Sequence, residues 1–258
     1  MSQKYIIALL MLLSSMTSFA QHEAFQDGEW FRFRIHYGVF NASFATMEVN
    51  KTVFNKKPVY HVVGKGKSTG MLHWFFKVDD NYETYIDAKT GLPIRFIRQI
   101  DEGGHTKDVV IDFNHAKDEA LVFNRKKDTK KRFATAENVH DMLSAFYYLR
   151  NNLDVDNLEV GDETILNMFF DNENYPFKLK FLGREIVKTK MGKIACLKFR
   201  PYVMAGRVFK EEESLTFWVS DDRNRIPIKI EAQIAVGSLD ADIDAYKGLK
   251  YPLEIIMD

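Results

Sequence analysis

In segment after segment between Gly28 and Ile234, apolar residues recur at every second position, and this rhythm breaks only once. Gly28-Glu-Trp-Phe-Arg-Phe-Arg-Ile-His-Tyr37 sets the pattern. Phe31, Phe33, Ile35 and Tyr37 share one face, and Arg32, Arg34 and His36 share the other. Successive side chains of a strand point to opposite sides, so this period marks a strand with one wet face. Strand patterns continue at 42–51, 59–63, 81–86, 94–100, 109–113 and around 121–123. They resume at 164–170, 175–181, 185–189, 193–199, 215–219 and 226–234. Turn-forming stretches separate them, such as Asn55-Lys-Lys-Pro58, Asp87 to Pro93 and Glu102-Gly-Gly104.

The break falls between Thr135 and Arg150. Apolar residues there sit at 139, 142, 143, 146 and 149, the spacing of one helical face. Asn138 opens the run, Asp141 follows near the positive end of the helix dipole, and Arg150 closes it at the negative end. The spacing predicts one helix over 138–150.

The two strand-rich parts echo each other. Tyr82 to Asp87 is followed by Pro93 and Ile94 to Ile100. Thr216 to Asp221 is followed by Pro227 and Ile228 to Ile234, at an offset of 134. Both read as hairpins in which Asp opens the turn and Pro fixes the start of the return strand. The expected fold is mainly β: a curved antiparallel sheet or incomplete β-barrel made of two related halves. The halves run from about 28 to 125 and from about 160 to 255. They are joined through helix 138–150, the one amphipathic helix, which packs on the concave face and covers apolar surface. Together they form a single domain over 21–258. Such a shape can leave a cavity for an apolar ligand.

The N-terminus reads as a cleaved export signal. Lys4 precedes the apolar run Tyr5 to Leu13, and Ser18-Phe19-Ala20 is a small-x-small cleavage site, so the mature chain is expected to begin at Gln21. The run is far shorter than the roughly 20 residues of a spanning helix. No later segment is long and apolar enough to span a bilayer. No cysteine lies at the cleavage site, which excludes lipid attachment there. The expected location is periplasmic or peripheral to the envelope. The 36 basic and 36 acidic residues give nucleic acid no general attraction. The sole cysteine, Cys196, lies in an alternating run and reads as a buried thiol.

Several motifs look like chemistry and fail on spacing. Gly66-Lys67-Ser68 resembles the end of a phosphate loop, but the first glycine of that motif would fall at His61. His140, Asp141 and Ser144 are the residue types of a hydrolase triad. Asp141 directly follows His140, however, and points elsewhere on a helix. The histidines at 22, 36, 61, 73, 105, 115 and 140 form no tight ligand pair, although 36, 61 and 73 could converge on adjacent strands. Asp79-Asp80, Glu211-Glu-Glu213 and Asp221-Asp222 read as solvated turns. No catalytic residue, metal or cofactor is expected. Met71, Leu72, Trp74, Phe75 and Phe76 have two readings: an apolar rim that touches cargo, with Lys65 and Lys67 beside it, or a strand that enters the core.

Gly28-Glu-Trp-Phe-Arg-Phe, Asp80 to Asp87 with Gly91-Leu-Pro93, Asp141 to Arg150, and Phe217 to Asp222 with Arg225-Ile-Pro227 occur in that order. In this order they resemble the bacterial exported proteins grouped as domain of unknown function 3108. The resemblance implies an envelope location and a β-rich fold, and carries no activity or catalytic residues. A half-barrel with a helix in its mouth is also similar in outline to the periplasmic lipoprotein carriers. The leading expectation is a non-enzymatic envelope protein that binds an apolar ligand such as lipid or a lipidated polypeptide. Met71, Leu72, Trp74, Phe75 and Phe76 would form its rim, and Trp218 a wall. The alternative is an assembly or scaffold protein with a packed core and a protein partner. A hydrolase of unrecognised type is the third reading.

Overall fold

The computed structural model describes residues 23–38, 40–69, 77–202, 214–233 and 238–257. Eight strands come first: β1 (Trp30–Tyr37), β2 (Phe40–Phe54), β3 (Lys57–Ser68), β4 (Asp79–Asp87), β5 (Pro93–Glu102), β6 (His105–Asn114), β7 (Glu119–Asn124) and β8 (Thr129–Ala134). The helix α1 (Met142–Asn152) follows. Six more strands follow among the described residues: β9 (Glu163–Phe170), β10 (Glu173–Thr189), β11 (Gly192–Tyr202), β12 (Leu215–Ser220), β13 (Pro227–Gln233) and β14 (Ser238–Lys247). All belong to one antiparallel sheet. Its order runs from β8 back to β1, then from β14 back to β9. The chain thus builds a first arm, β1–β8, and a second arm, β9–β14, joined edge to edge by the β1–β14 ladder.

The sheet curls without closing. Fourteen strands laid flat would separate the outer two by roughly 60 Å. Yet the rings of Phe133 on β8 and Phe169 on β9 lie 5.9 Å apart. Asn174 holds the same gap from both sides: its Oδ1 accepts from Ala136 N at 2.8 Å, and its Nδ2 donates to Ala134 O at 3.0 Å. No β8–β9 ladder forms, so this is an incomplete barrel.

The helix begins later than its apolar spacing suggests. Asn138 is left-handed (φ 51°). His140 is engaged with β9, its N–H donating to Asn167 O and its carbonyl accepting from Phe169 N. A residue paired to a strand on both backbone groups cannot open a helix. Asp141 is the N-cap instead, accepting from Leu143 N and Ser144 N at 2.9 Å each, while Ser144 Oγ accepts from Asp141 N at 3.0 Å. This reciprocal capping box satisfies orphan donors of the first turn.

Three further differences concern strands. β8 (TKKRFA) is too charged to show a period, and β14 carries its acids at alternate positions between small and apolar residues. The separate runs at 175–181 and 185–189 are one strand, β10. A register shift between Phe181 and Gly183 lets it continue, with Gly183 at φ 127°. The β4–β5 and β12–β13 hairpins share a design, each with a register shift just before the turn and a return strand that starts at proline. Tyr85 pairs with Arg95, and Trp218 with Lys229, so the second turn is one residue longer. Asp87 Oδ1 holds the first turn through Lys89 N and Thr90 N. In the second it is Asp222, not Asp221, that accepts from Asn224 N and Arg225 N.

α1 contacts both arms. Leu143 and Tyr147 join a buried cluster with Val49, Tyr60, Val62, Ile86, Phe96 and Ile111 of the first arm. Phe146 meets Phe217 of β12 at 5.9 Å, and Leu149 and Leu153 pack against Leu179, Phe181, Leu197 and Phe199 of the second. A third cluster joins Phe31, Phe33 and Ile243 to Ile194, Cys196, Trp218, Ile226 and Ile228. Cys196 is free and buried, and burial pushes its thiol up to about 12.

Candidate functional site: a cavity between the helix and the second arm

The first arm packs tightly on its side of α1, because aromatic rings fill the interior. Phe25 meets Tyr60 and Tyr147 edge-on at 4.9 and 4.6 Å, and Phe113 meets Phe169 at 6.3 Å. Beside Phe25, Tyr60 and Tyr147 there is room for only about 30 Å³. The second arm differs. A cavity of about 730 Å³ lies between α1 and β9–β12.

Strand parity dictates its walls. In the β11–β12 ladder Leu197 faces Val219 and Phe199 faces Phe217. These four share the inner side and line the cavity, with Phe177 and Leu179 of β10 and Met168 and Phe170 of β9. The helix supplies Met142, Ala145, Phe146, Leu149 and, at its C-cap, Leu153. Charged groups enter at two places. Arg150 and Arg225 line one part, and Arg98, Glu102, His105, Lys107 and Asp171 line another.

The second charged group marks the mouth. His105 and Asp171, both exposed, lie beside the β5–β6 turn and in the β9–β10 turn, which an antiparallel sheet places at one end. Asp171 bridges two cations there, accepting from Arg98 Nη1 at 2.8 Å and from Lys107 Nζ at 2.7 and 2.8 Å. Burial, and next the Glu102 carboxylate, push the Asp80 carboxyl up to about 6. Arg98 Nε is buried and has no hydrogen-bond partner among the described residues; the same holds for Arg225 Nε.

The Arg150 side of the site is rigid. Arg150 Nη1 and Nη2 donate to Glu29 Oε1 and Oε2 at 2.6 and 2.8 Å, with both side chains buried. Its Nε and Nη2 also donate to Asn224 O. Phe25, Phe31, Phe146 and Tyr147 surround the guanidinium at 5.2–5.6 Å. A bidentate pair with its remaining donors used can be held in the interior. It ties the N-terminal segment, the helix end and the β12–β13 turn into one unit. Nothing in the sequence links residues 29 and 150, because the contact is tertiary.

The residues singled out from sequence fall in different places. Trp218 does not line the cavity. It shares its side of β12 with Lys198, its ladder partner, opposite to Phe217 and Val219. There its Nε1 donates to Glu185 Oε1 at 2.5 Å, with Lys198 and Lys229 over its ring. Met71, Leu72, Trp74, Phe75 and Phe76 lie outside the described residues, as do His73 and Glu211 to Glu213. The residues flanking that stretch are placed: Val78 bridges Glu102, and Gly103 N donates to Lys77 O, at the mouth end. His140, Asp141 and Ser144 are buried as the helix cap and are not among the cavity-lining residues. Thr84 Oγ1 donates to Asp141 Oδ2 at 2.6 Å, and burial pushes that carboxyl up to about 6. His61 Nε2 donates to Glu83 Oε2 at 2.8 Å and its ring stacks on Tyr85, while His36 lies 3.8 Å from Asp242. Among the described residues no three His, Cys, Asp or Glu side chains gather as a metal site. Nor is any helix among them long and apolar enough to cross a membrane.

The model of the family described as "Protein of unknown function (DUF3108)" matches residues 32–244. The chain belongs to this family. No curated protein matches the sequence. Among solved structures, a β-barrel-like protein of domain of unknown function DUF1849 from Brucella abortus is 11% identical, with a TM-score of 0.57. The match covers 88% of this chain and 100% of that one, and shows a shared β-barrel-like fold. A protein from Parabacteroides distasonis, provisionally described as a lipoprotein, matches at 11% identity over 88% of this chain and 99% of its own, with a TM-score of 0.33.

Proposed function

We propose that this DUF3108 protein is an exported, non-enzymatic envelope protein that holds an apolar ligand, such as a lipid or a lipidated polypeptide, between α1 and β9–β12. The observation that carries this reading is the cavity. Its volume of about 730 Å³ falls in the range of small-molecule sites, and its walls are mostly aliphatic and aromatic. Apolar walls of that extent are left facing water, and an apolar guest would remove them from it. Arg98 and Arg225, each with an unpartnered Nε, supply polar handles. Phe217 and Val219 take the wall role that the sequence suggested for Trp218. Export rests on the pattern of residues 1–20, which lie outside the described residues.

The test is an intact native mass spectrum of protein purified under mild conditions, followed by extraction and identification of any bound lipid. A stoichiometric apolar adduct is expected in the wild type and is lost in Leu149→Trp, which places an indole in the cavity. An adduct retained in a folded Leu149→Trp variant places the ligand elsewhere. A second reading, a scaffold with a protein partner, draws on the terminal strand β9, where Ile165 is 59% exposed. A clean apo mass, with no lipid taken up on incubation, turns the balance to that reading.

A further inference from the structure

The chain balances 36 basic against 36 acidic residues, yet six of the eight residues 125–132 are cationic. Arg125, Lys126 and Lys127 lie in the β7–β8 turn, and Lys130, Lys131 and Arg132 lie on β8. All eight residues are exposed. Carboxylates offset the group only in part: Asp128 lies within it, Arg125 is 3.6 Å from Asp108, and Arg132 is 3.5 Å from Glu119. Lys130 lies over the Phe123 ring.

The hairpin sits at the mouth end of the cavity. Arg125 N donates to Asp108 O, and Lys126 Nζ reaches Thr106 Oγ1. Residues 106 and 108 alternate with His105 and Lys107, which line the mouth. Lysines on a terminal strand also keep it from pairing with another sheet. That role accounts for the cations on β8. It does not account for Arg125, Lys126 and Lys127, which lie in the turn and guard no strand edge.

We propose that the β7–β8 hairpin docks the protein on an anionic lipid surface, with the cavity mouth beside the bilayer. A dense, exposed group of four to eight cations is the charge arrangement that anionic headgroups attract, and the attraction fades beyond a Debye length. Docking there would let an apolar guest pass between cavity and membrane without crossing much water. The role of the mouth rests on the ligand reading above. The docking itself does not, and the experiment reads docking alone.

The experiment is flotation of the purified protein with vesicles of phosphatidylcholine alone and of phosphatidylcholine mixed with phosphatidylglycerol. Binding is expected only with phosphatidylglycerol, and it falls as salt is raised. Lys126→Gln, Lys127→Gln and Lys131→Gln together are expected to weaken it about a hundredfold. The salt titration of unmodified protein tests the same point without any variant. Equal binding to both vesicle types, or binding unchanged by salt or by the triple variant, overturns the proposal. So does binding to heparin or nucleic acid with none to vesicles. Adduct loss in Leu149→Trp with vesicle binding intact would separate the two functions.

Discussion

The two arms use the same strand chemistry and end differently. The first arm presents Tyr60, Phe96 and Phe113 to α1 and receives Phe25, Tyr147 and Phe169, so rings fill its interior. The second presents Leu179, Leu197, Phe199 and Val219 to Phe146, Leu149 and Leu153 and leaves about 730 Å³ open. One helix serves both. Its Leu143–Tyr147 side completes a core, and its Phe146–Leu149–Leu153 side walls a cavity. Interiors normally pack to crystal density, so an open space walled by α1 and β9–β12, with first-arm residues only at Tyr82 and the mouth, is a built feature.

The clasp between the arms offers the largest effect. Arg150→Met leaves Glu29 buried without its partner and should cost about 3–5 kcal/mol. Urea unfolding would show this as a lower midpoint. The Glu29→Gln, Arg150→Met double variant should recover much of the loss, because no unpaired charge remains. Next, Phe96→Ala in the filled arm should cost about 3–5 kcal/mol through lost burial and a new void. Phe217→Ala, on the cavity wall, should cost less than about 2 kcal/mol, since that ring already borders open space. Equal costs at the two positions would break the contrast between the arms.

Some of this was legible in the sequence, and the reasons are local. Period-two alternation reports strand faces, and the run 139, 142, 143, 146, 149 reports a helix, because both follow from backbone geometry. The apolar run points to a helix start at Asn138, three residues before the cap at Asp141. The competing interaction, His140 with Asn167 and Phe169, is tertiary and leaves no local trace. Both sides of β12 carry large apolar residues, so periodicity cannot say that Phe217 and Val219 face the cavity and Trp218 does not. The cavity walls Leu179 and Phe199 look like any core positions. What sets them apart is the open space that they border, which only the packed chain reveals. The Asp221 and Pro227 echo of Asp87 and Pro93 pointed to the right hairpin. It missed the extra residue that passes the turn-holding role to Asp222.

The smallest effect concerns pH at the helix cap. Burial, and next the charge of His115, lower the His140 imidazole to about 4. Unfolded, that group takes a proton near its ordinary value of 6.5, so stability is lost as pH falls from about 6.5 to 4. Asp141 and Asp80 act oppositely. Raised to about 6, they favour the folded state as pH falls through 6, and that contribution is lost as pH rises through it. His140→Gln should therefore gain stability relative to wild type between pH 6.5 and 4, and show no pH-dependent difference above about 7. A parallel fall in both proteins would contradict the buried neutral imidazole.

An apolar guest is expected in the second arm and not in the first. Crystals grown with a bromine-labelled acyl chain test it most directly, through the anomalous signal of bromine. Bromine is expected between α1 and β9–β12, within contact of Leu149, Leu179 and Phe199. Bromine only on the outer surface or among Tyr60, Phe96 and Tyr147, with the second-arm cavity holding water alone, would contradict it.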